Sequence, residues 1–405
     1  MRRILACLLL ALLASIPLGC GGKFELPTEH PKQIVPTDQS YAMLSTWKGM
    51  NGVQDLVITQ GQGNQLFVLF YDGVTDPPTA PIRPHGGVLL FPLTNPNPIG
   101  PPYFEGMRTL FKPVAIAAGR NLLFVLDQGD SCKAKYDSRR GTCEPDQEVT
   151  PASDTTTVPR HPFQSQVLDY SSTWRVREYT LGGGDTLSTF TDTTVAQPYG
   201  IAVDDAGRVY VSCLAVFLDS LQTNKSIRTR KFVSRIYRYV RGQKYPGIPD
   251  VNMPGTVSWY RDTTWKILDG SGSSSISDAR GIAVTRQGVN PLYVADRGNN
   301  AAKSISTQID DLPFLKVDGS ETGATFNHPE GIAADLAGFF YVVDRDNQRV
   351  LRYSASPATY VQRVDMEANS DGLPLQDPVR IAVDDSLAYI ADRGRGQIIR
   401  YKRRP

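Results

Sequence analysis

His328 to Tyr353 reads "HPEGIAADLAGFFYVVDRDNQRVLRY", and most of its pattern returns twice nearby. From Ala279 the chain has "ARGIAVTRQGVNPLYVADRGNN", and from Pro378 it has "PVRIAVDDSLAYIADRGRGQIIRY". Each copy holds a short apolar run, a turn and a second apolar run closed by Asp, and in the first and last quoted a third run ending in Tyr follows. Runs this short, separated by turn residues, read as β-strands rather than helices.

The same marker can be followed outward along the chain. The Ile or Leu of each "GIAV"-like core falls at Leu56, Ile116, Ile201, Ile282, Ile332 and Ile381, with gaps of 60, 85, 81, 50 and 49 residues. A unit of about 50 residues carrying insertions accounts for every gap. With a fourth run such as Tyr360 to Val364, each unit has four short strands, the signature of a propeller blade. The expected fold is therefore all-β, a six-bladed β-propeller of four-stranded blades.

The pattern "P-x-G-I-A-x-D", followed by a strand ending "V-A-D-R-G-N" and by "R-V-L-R-Y", resembles the NHL repeat, which builds β-propellers. The resemblance is specific over Gln197 to Tyr401 and weaker in the first two units, where Phe70 replaces the motif Asp of unit one; Cys213 replaces it in unit three. The sixth unit stops at its third strand, "QIIRYK". Ala42 to Trp47 is free to supply the missing outer strand, closing the ring and covering an exposed sheet edge.

Composition agrees with this reading. The 405 residues are 40% hydrophobic and 21% charged, with 35 Gly and 29 Pro, which suits many strands joined by turns. Residues 1–19, with Arg2, Arg3 and an apolar run from Ile4 to Ile16, read as a secretory signal peptide. "PLGC" resembles a bacterial lipobox, which implies lipidation of Cys20, a tether over residues 20–40, and a propeller over residues 41–405. The expected location is the cell envelope, as an outer-membrane lipoprotein held to the membrane through Cys20. Removing Arg2 and Arg3 lowers the basic count from 43 to 41, equal to the 41 acids, and a neutral chain argues against a general nucleic-acid binder. A monomer is expected.

Cys132 and Cys143 bracket a polar loop in which a disulfide is expected in an oxidising compartment, with a metal clip as the alternative. Cys213, in "VYVSC", reads as a buried small hydrophobe. Three excursions interrupt the repeats, at 127–167, 214–232 and 243–260. The basic run from Lys225 to Lys244 has eight Lys or Arg and no acid, and reads as a solvated blade edge.

Asp127, Asp296, Asp344 and Asp392 each close a second strand and read as turn residues, with Arg following in the last three as Arg297, Arg345 and Arg393. The position between Pro and Gly of the motif varies around the ring as Gln54, Val114, Tyr199, Arg280, Glu330 and Val379, with Arg380 in place of the blade-six Gly. Tyr199, Arg280, Glu330 and Arg380 are the candidate ligand-binding residues at one channel mouth, unless Arg280 and Glu330 simply pair. Two arginines against one glutamate favour a carboxylate or phosphate. Replacing Arg280 and Arg380 together is expected to abolish capture with little change in melting.

No spaced nucleophile and base names a reaction, and catalytic residues stay unassigned. The leading reading is an envelope-anchored binding or scaffolding module for a protein, peptide or glycan. The alternative is a metal-dependent lyase or hydrolase at the channel mouth, lactonase-like or amidating-lyase-like, as the resemblance allows. Of His30, His85, His161 and His328 only the last lies in a repeat core, so no zinc site is expected. No cofactor is expected; calcium remains open through Asp204, Asp335 and Asp384 at the ends of inner strands.

Overall fold

The computed structural model of the chain describes residues 40–59, 65–73, 85–94, 97, 110, 112–127, 136–137, 142–143, 174–181, 187–192, 194–218, 230–242, 259–265, 276–285, 291–306, 315–355, 358–366, 372–384 and 386–404. The expected signal segment, Cys20, the expected tether through residue 39, Cys132 and most of the three excursions lie outside the described residues.

The first strand, β1 (Tyr41–Lys48), belongs to the last blade. Blade one is β2 (Val53–Ile58), β3 (Gln65–Tyr71) and β4 (Gly86–Pro92), three-stranded among the described residues. Blade two uses β5 (Pro113–Gly119) and β6 (Leu122–Asp127). A two-strand hairpin, β7 (Tyr136–Asp137) with β8 (Thr142–Cys143), then stands in the excursion before β9 (Arg175–Thr180) and β10 (Ser188–Phe190) complete that blade. Blade three is β11 (Val195–Val203), β12 (Val209–Leu218), β13 (Arg230–Arg241) and β14 (Trp259–Arg261). Blade four is β15 (Ala279–Val284), β16 (Leu292–Asp296), β17 (Ala301–Ile305) and β18 (Leu315–Val317). Blade five is β19 (Pro329–Ala334), β20 (Phe339–Asp344), β21 (Arg349–Ser354) and β22 (Tyr360–Arg363). Blade six is β23 (Pro378–Val383), β24 (Leu387–Asp392) and β25 (Gln397–Arg403), with β1 outermost.

All pairs within the blades are antiparallel, as hairpin-connected strands require. The innermost strands β2, β5, β11, β15, β19 and β23 each touch the next, and β23 returns to β2, so the ring is closed. Closure uses both ends of the propeller: Met43 faces Tyr401, Thr46 faces Ile399 and Trp47 faces Ile398. The outer strand expected at Ala42 to Trp47 is in that place.

The cores lie between blades rather than within them, because one sheet has two apolar faces and no layer of its own to cover them. Tyr341, Val343 and Val350 of blade five pack on Ile381, Val383, Ile390 and Ile399 of blade six. Middle strands such as β20 and β24 are therefore apolar on both faces, "FFYVVD" and "LAYIAD". Each large side chain so buried contributes about 1.5–3 kcal/mol. Cys213 is a free, buried thiol in the core shared by blades two and three.

The excursion read at 214–232 is narrower than its sequence suggested. β12 runs on to Leu218 and β13 begins at Arg230, the two pairing without a break from Val209–Tyr239 to Leu218–Arg230. Two members of the basic run are paired: Arg238 bonds Asp262 at 2.6 Å and lies over the Trp265 ring, and Arg241 pairs with Glu178.

The motif glycines allow neighbouring inner strands to approach. A Cβ on Gly200 would stand 2.4 Å from the Arg280 carbonyl oxygen, and one on Gly331 would stand 2.6 Å from that of Val379. Backbone cannot yield cheaply, so Gly200→Ala is expected to cost about 1–3 kcal/mol in urea unfolding. A wild-type midpoint would show that the strands have room to spare.

Candidate functional site at the channel mouth

Each innermost strand begins with an irregularity. Pairing slips by one residue between Val53 and Asp55, Pro113 and Ala115, Pro198 and Gly200, Pro329 and Gly331, and Pro378 and Arg380, and it also breaks between Ala279 and Ile282. The variable motif position is thus a β-bulge around the whole ring, and a bulge re-aims its side chain out of the sheet. That geometry places Tyr199, Arg280 and Glu330 at the mouth, beside the loops that enter β15, β19 and β23.

The motif Asp residues fasten those loops. The carboxylates of Asp127, Asp296, Asp344 and Asp392 are fully buried. They accept backbone N–H groups from Lys112, Ser277, Asn327 and Gln376, at 2.9, 2.8, 2.7 and 3.0 Å. The donors lie mainly in the loop ahead of the inner strand, while the turn after the Asp adds side-chain amides from Asn299 and Asn347. Lys303 and Arg349 on the third strands balance the charge of Asp296 and Asp344, at 2.7 and 2.6 Å.

Arg280 does not pair with Glu330. Its guanidinium bonds Asp278 of its own blade, with Nε 2.8 Å away, and lies 3.9 Å from the centre of the Tyr199 ring. Glu330 instead faces three other arginines: Arg380 at 3.7 Å, Arg297 at 3.8 Å and Arg345 at 3.9 Å. Arg345 and Arg393 share Asp377, at 2.5 and 3.0 Å. The result is an alternating belt across blades four to six that ends on blade one, with five arginines (280, 297, 345, 380, 393) against Asp278, Glu330, Asp377 and the blade-one Asp55.

Arg380 is built into the floor of this mouth. It is buried, and it donates to the carbonyl oxygens of Glu330 (2.8 Å), Val379 (3.0 Å) and Tyr199 (3.3 Å), the last belonging to blade three on the opposite side of the ring. Its Nε stands 3.6 Å from Asp55 of blade one. Asp55 fills the motif Gly position in blade one as Arg380 does in blade six, so the two departures from the motif meet across the closure seam. Asp55 also accepts the N–H groups of Leu56 (2.8 Å) and Ile116 (3.0 Å). Burial pushes its carboxyl up to about 6, against the opposing pull of Arg380 and these two amides. Inner strands have one edge without a sheet partner, and here Arg380 satisfies exposed carbonyls and Asp55 exposed amides. Beneath them lies an axial cavity of about 140 Å³ walled by the six inner strands.

The carboxylates considered for calcium serve turns. Asp204 accepts Arg208 and the Tyr210 hydroxyl, Asp335 accepts Phe339 N–H and the Tyr341 hydroxyl, and Asp384 accepts the amides of Ser386 and Leu387. Among the described residues, no three His, Cys, Asp or Glu are grouped to hold a metal ion. His85 meets Asp72 and His328 meets Asp346, while His30 and His161 lie outside the described residues.

A family model described as the NHL repeat matches residues 326–353, the heart of blade five. The chain is a six-bladed β-propeller that carries an NHL repeat in blade five. Among solved structures, this propeller is similar to the Cps50 (Swd1) β-propeller domain of Myceliophteria thermophila, at 9% identity and a TM-score of 0.50, covering 89% of this chain and 99% of that one. It is also similar to a catalytically inactive virginiamycin B lyase from Staphylococcus aureus with quinupristin, at 11% identity, 90% and 99% coverage, and a TM-score of 0.42. The first likeness concerns the fold alone, and the second is too slight to bear on function. No curated protein matches the sequence.

Asp55, Arg297, Arg345 and Arg393 were not among the site residues read from sequence. The arginines carry a signal, since Arg follows the motif Asp in three successive blades. Asp55 carries another, because it occupies the motif Gly position.

Proposed function

We propose that this propeller is a non-catalytic binding or scaffolding module for a protein, peptide or glycan, anchored in the envelope through Cys20, with its receptor face at the mouth of blades four to six. The observation that carries the reading is the part-exposed arginine set there: the side chains of Arg297, Arg345 and Arg393 are 27%, 25% and 38% exposed. They surround a mouth whose floor is closed by Arg380. A rim of charged side chains from successive blades offers contacts spread over an area, as a partner interface does.

The test is cross-linked capture from envelope extract with residues 20–405 as bait, comparing wild type with Arg297→Ala combined with Arg345→Ala. Charge-assisted hydrogen bonds are worth about 1.5–3 kcal/mol each, so capture should fall about tenfold or more. Both side chains are part-exposed, so the fold should persist. Equal capture by the two proteins would remove the binding face from this mouth.

A further inference from the structure

Glu330 is the most poorly satisfied carboxylate of the belt. Three guanidinium groups from three successive blades converge on it at 3.7–3.9 Å, beyond hydrogen-bond distance, and its Oε2 is buried without a hydrogen-bond partner among the described residues. Charge-assisted N–H···O bonds close to about 2.7–2.9 Å when geometry permits. The side chain of Arg297 makes no hydrogen bond among the described residues, and its nearest carboxylates are at 3.8 and 4.0 Å. An acceptor oxygen and a set of guanidinium donors are therefore held side by side without completing the contact.

We infer that the mouth takes a carboxylate from its ligand, and that Glu330 is an internal stand-in occupying that carboxylate's place in the free protein. The inference rests on reading the mouth as the receptor face. Glu330 is held by the bulge at the start of β19, which fixes its approach to all three arginines at once. A carboxylate arriving on a ligand carries no such tether and can meet Arg297 and the free Nη1 of Arg345 fork to fork. Arg380, pinned from below by carbonyls and Asp55, supplies a fixed positive charge and does not move to meet it. The belt has one more arginine than it has carboxylates, which matches a singly charged group better than a phosphate dianion. With Glu330 neutralised the excess grows to two, so the stand-in limits affinity as well as filling the site.

The test uses N-acetylglycine as a minimal peptide carboxylate, N-acetylglycinamide as its uncharged control and inorganic phosphate as the competing anion. Isothermal titration is run on wild type, Glu330→Gln, and Glu330→Gln combined with Arg297→Ala. Removing a like charge about 4 Å from the bound group should tighten N-acetylglycine binding to Glu330→Gln about tenfold or more. The amide should not bind, phosphate should bind more weakly, and Arg297→Ala should cancel the gain. No gain in Glu330→Gln overturns the stand-in, and equal binding of the amide or tighter binding of phosphate overturns the carboxylate. As a second readout on the unmutated protein, side-chain Nε resonances of Arg297 and Arg345 should shift on titration with N-acetylglycine; unmoved resonances at saturating concentration also overturn it. Failure of envelope capture beside a positive titration would sink only the proposed function, whereas arginine-dependent capture without the Glu330→Gln gain would sink only the stand-in.

Discussion

Arg380→Met should destabilise the propeller by about 3–5 kcal/mol at pH 7, the cost of breaking a buried pair from one side. The sequence alone pointed to a ligand-binding arginine at the channel mouth, whose loss together with Arg280 leaves melting nearly unchanged. Its geometry decides the matter: the guanidinium is buried, donates to three carbonyls and faces the buried Asp55 carboxylate. Without it, Asp55 must stay charged in a dry site or take up a proton. The sign of the pH effect follows. Asp55 already has its folded carboxyl raised to about 6 by burial, so it binds protons more tightly folded than unfolded, and its contribution to stability falls as pH rises from about 4 through 6. Arg380→Met removes the cation that opposes this rise. The window then extends upward, and the deficit relative to wild type should shrink between pH 7 and pH 5 in urea unfolding. Asp55→Ala combined with Arg380→Met should recover most of the loss at pH 7, since Ala115 shows that the same position in blade two accepts Ala. A deficit independent of pH, or a double variant no better than the single one, would mean that Arg380 acts by packing alone.

Much of the architecture was legible because each blade repeats one local problem. "GIAV" and "LYVAD" are strands wherever they stand, and a marker spaced at about 50 residues leaves few folds besides a propeller. Even ring closure could be counted, since a sixth unit ending at "QIIRYK" lacks one strand and Tyr41–Lys48 supplies it. The site was harder, because its contacts join residues distant in sequence. Asp55 and Arg380 become neighbours only once β23 returns to β2. The pairing of Glu330 with Arg297 and Arg345 depends on where a bulge and a turn aim their side chains. Arg280 shows the converse: a near neighbour, Asp278, captured it before Glu330 could. The excursion at 214–232 was overdrawn at both ends, since β12 runs on to Leu218 and pairs there with Arg230, where β13 begins.

Trp47→Ala should be as costly as the loss of Arg380, about 3–5 kcal/mol, and should open the ring at one place. Trp47 is buried, stacks on Phe91 of blade one with ring centres 5.5 Å apart, and meets Tyr389 of blade six at 5.6 Å. One side chain therefore fills the joint between the last blade and the first, on the strand that closes the circle. Truncating it leaves a cavity lined by Val53, Phe91, Val379 and Ile398, which belong to two blades and cannot collapse together without moving the seam. Because each blade packs its apolar faces only on its two neighbours, the damage should stay local instead of unfolding every blade at once. Amide hydrogen exchange should accordingly rise in β1 and β25 while the middle strands of blades two to four keep their protection. Leu44→Ala on the same strand, whose side chain is 43% exposed, should change stability by no more than about 0.5 kcal/mol. If exchange in Trp47→Ala rises evenly around the ring, the seam is not the weak joint; if β1 keeps its protection, its pairing with β25 holds without the tryptophan.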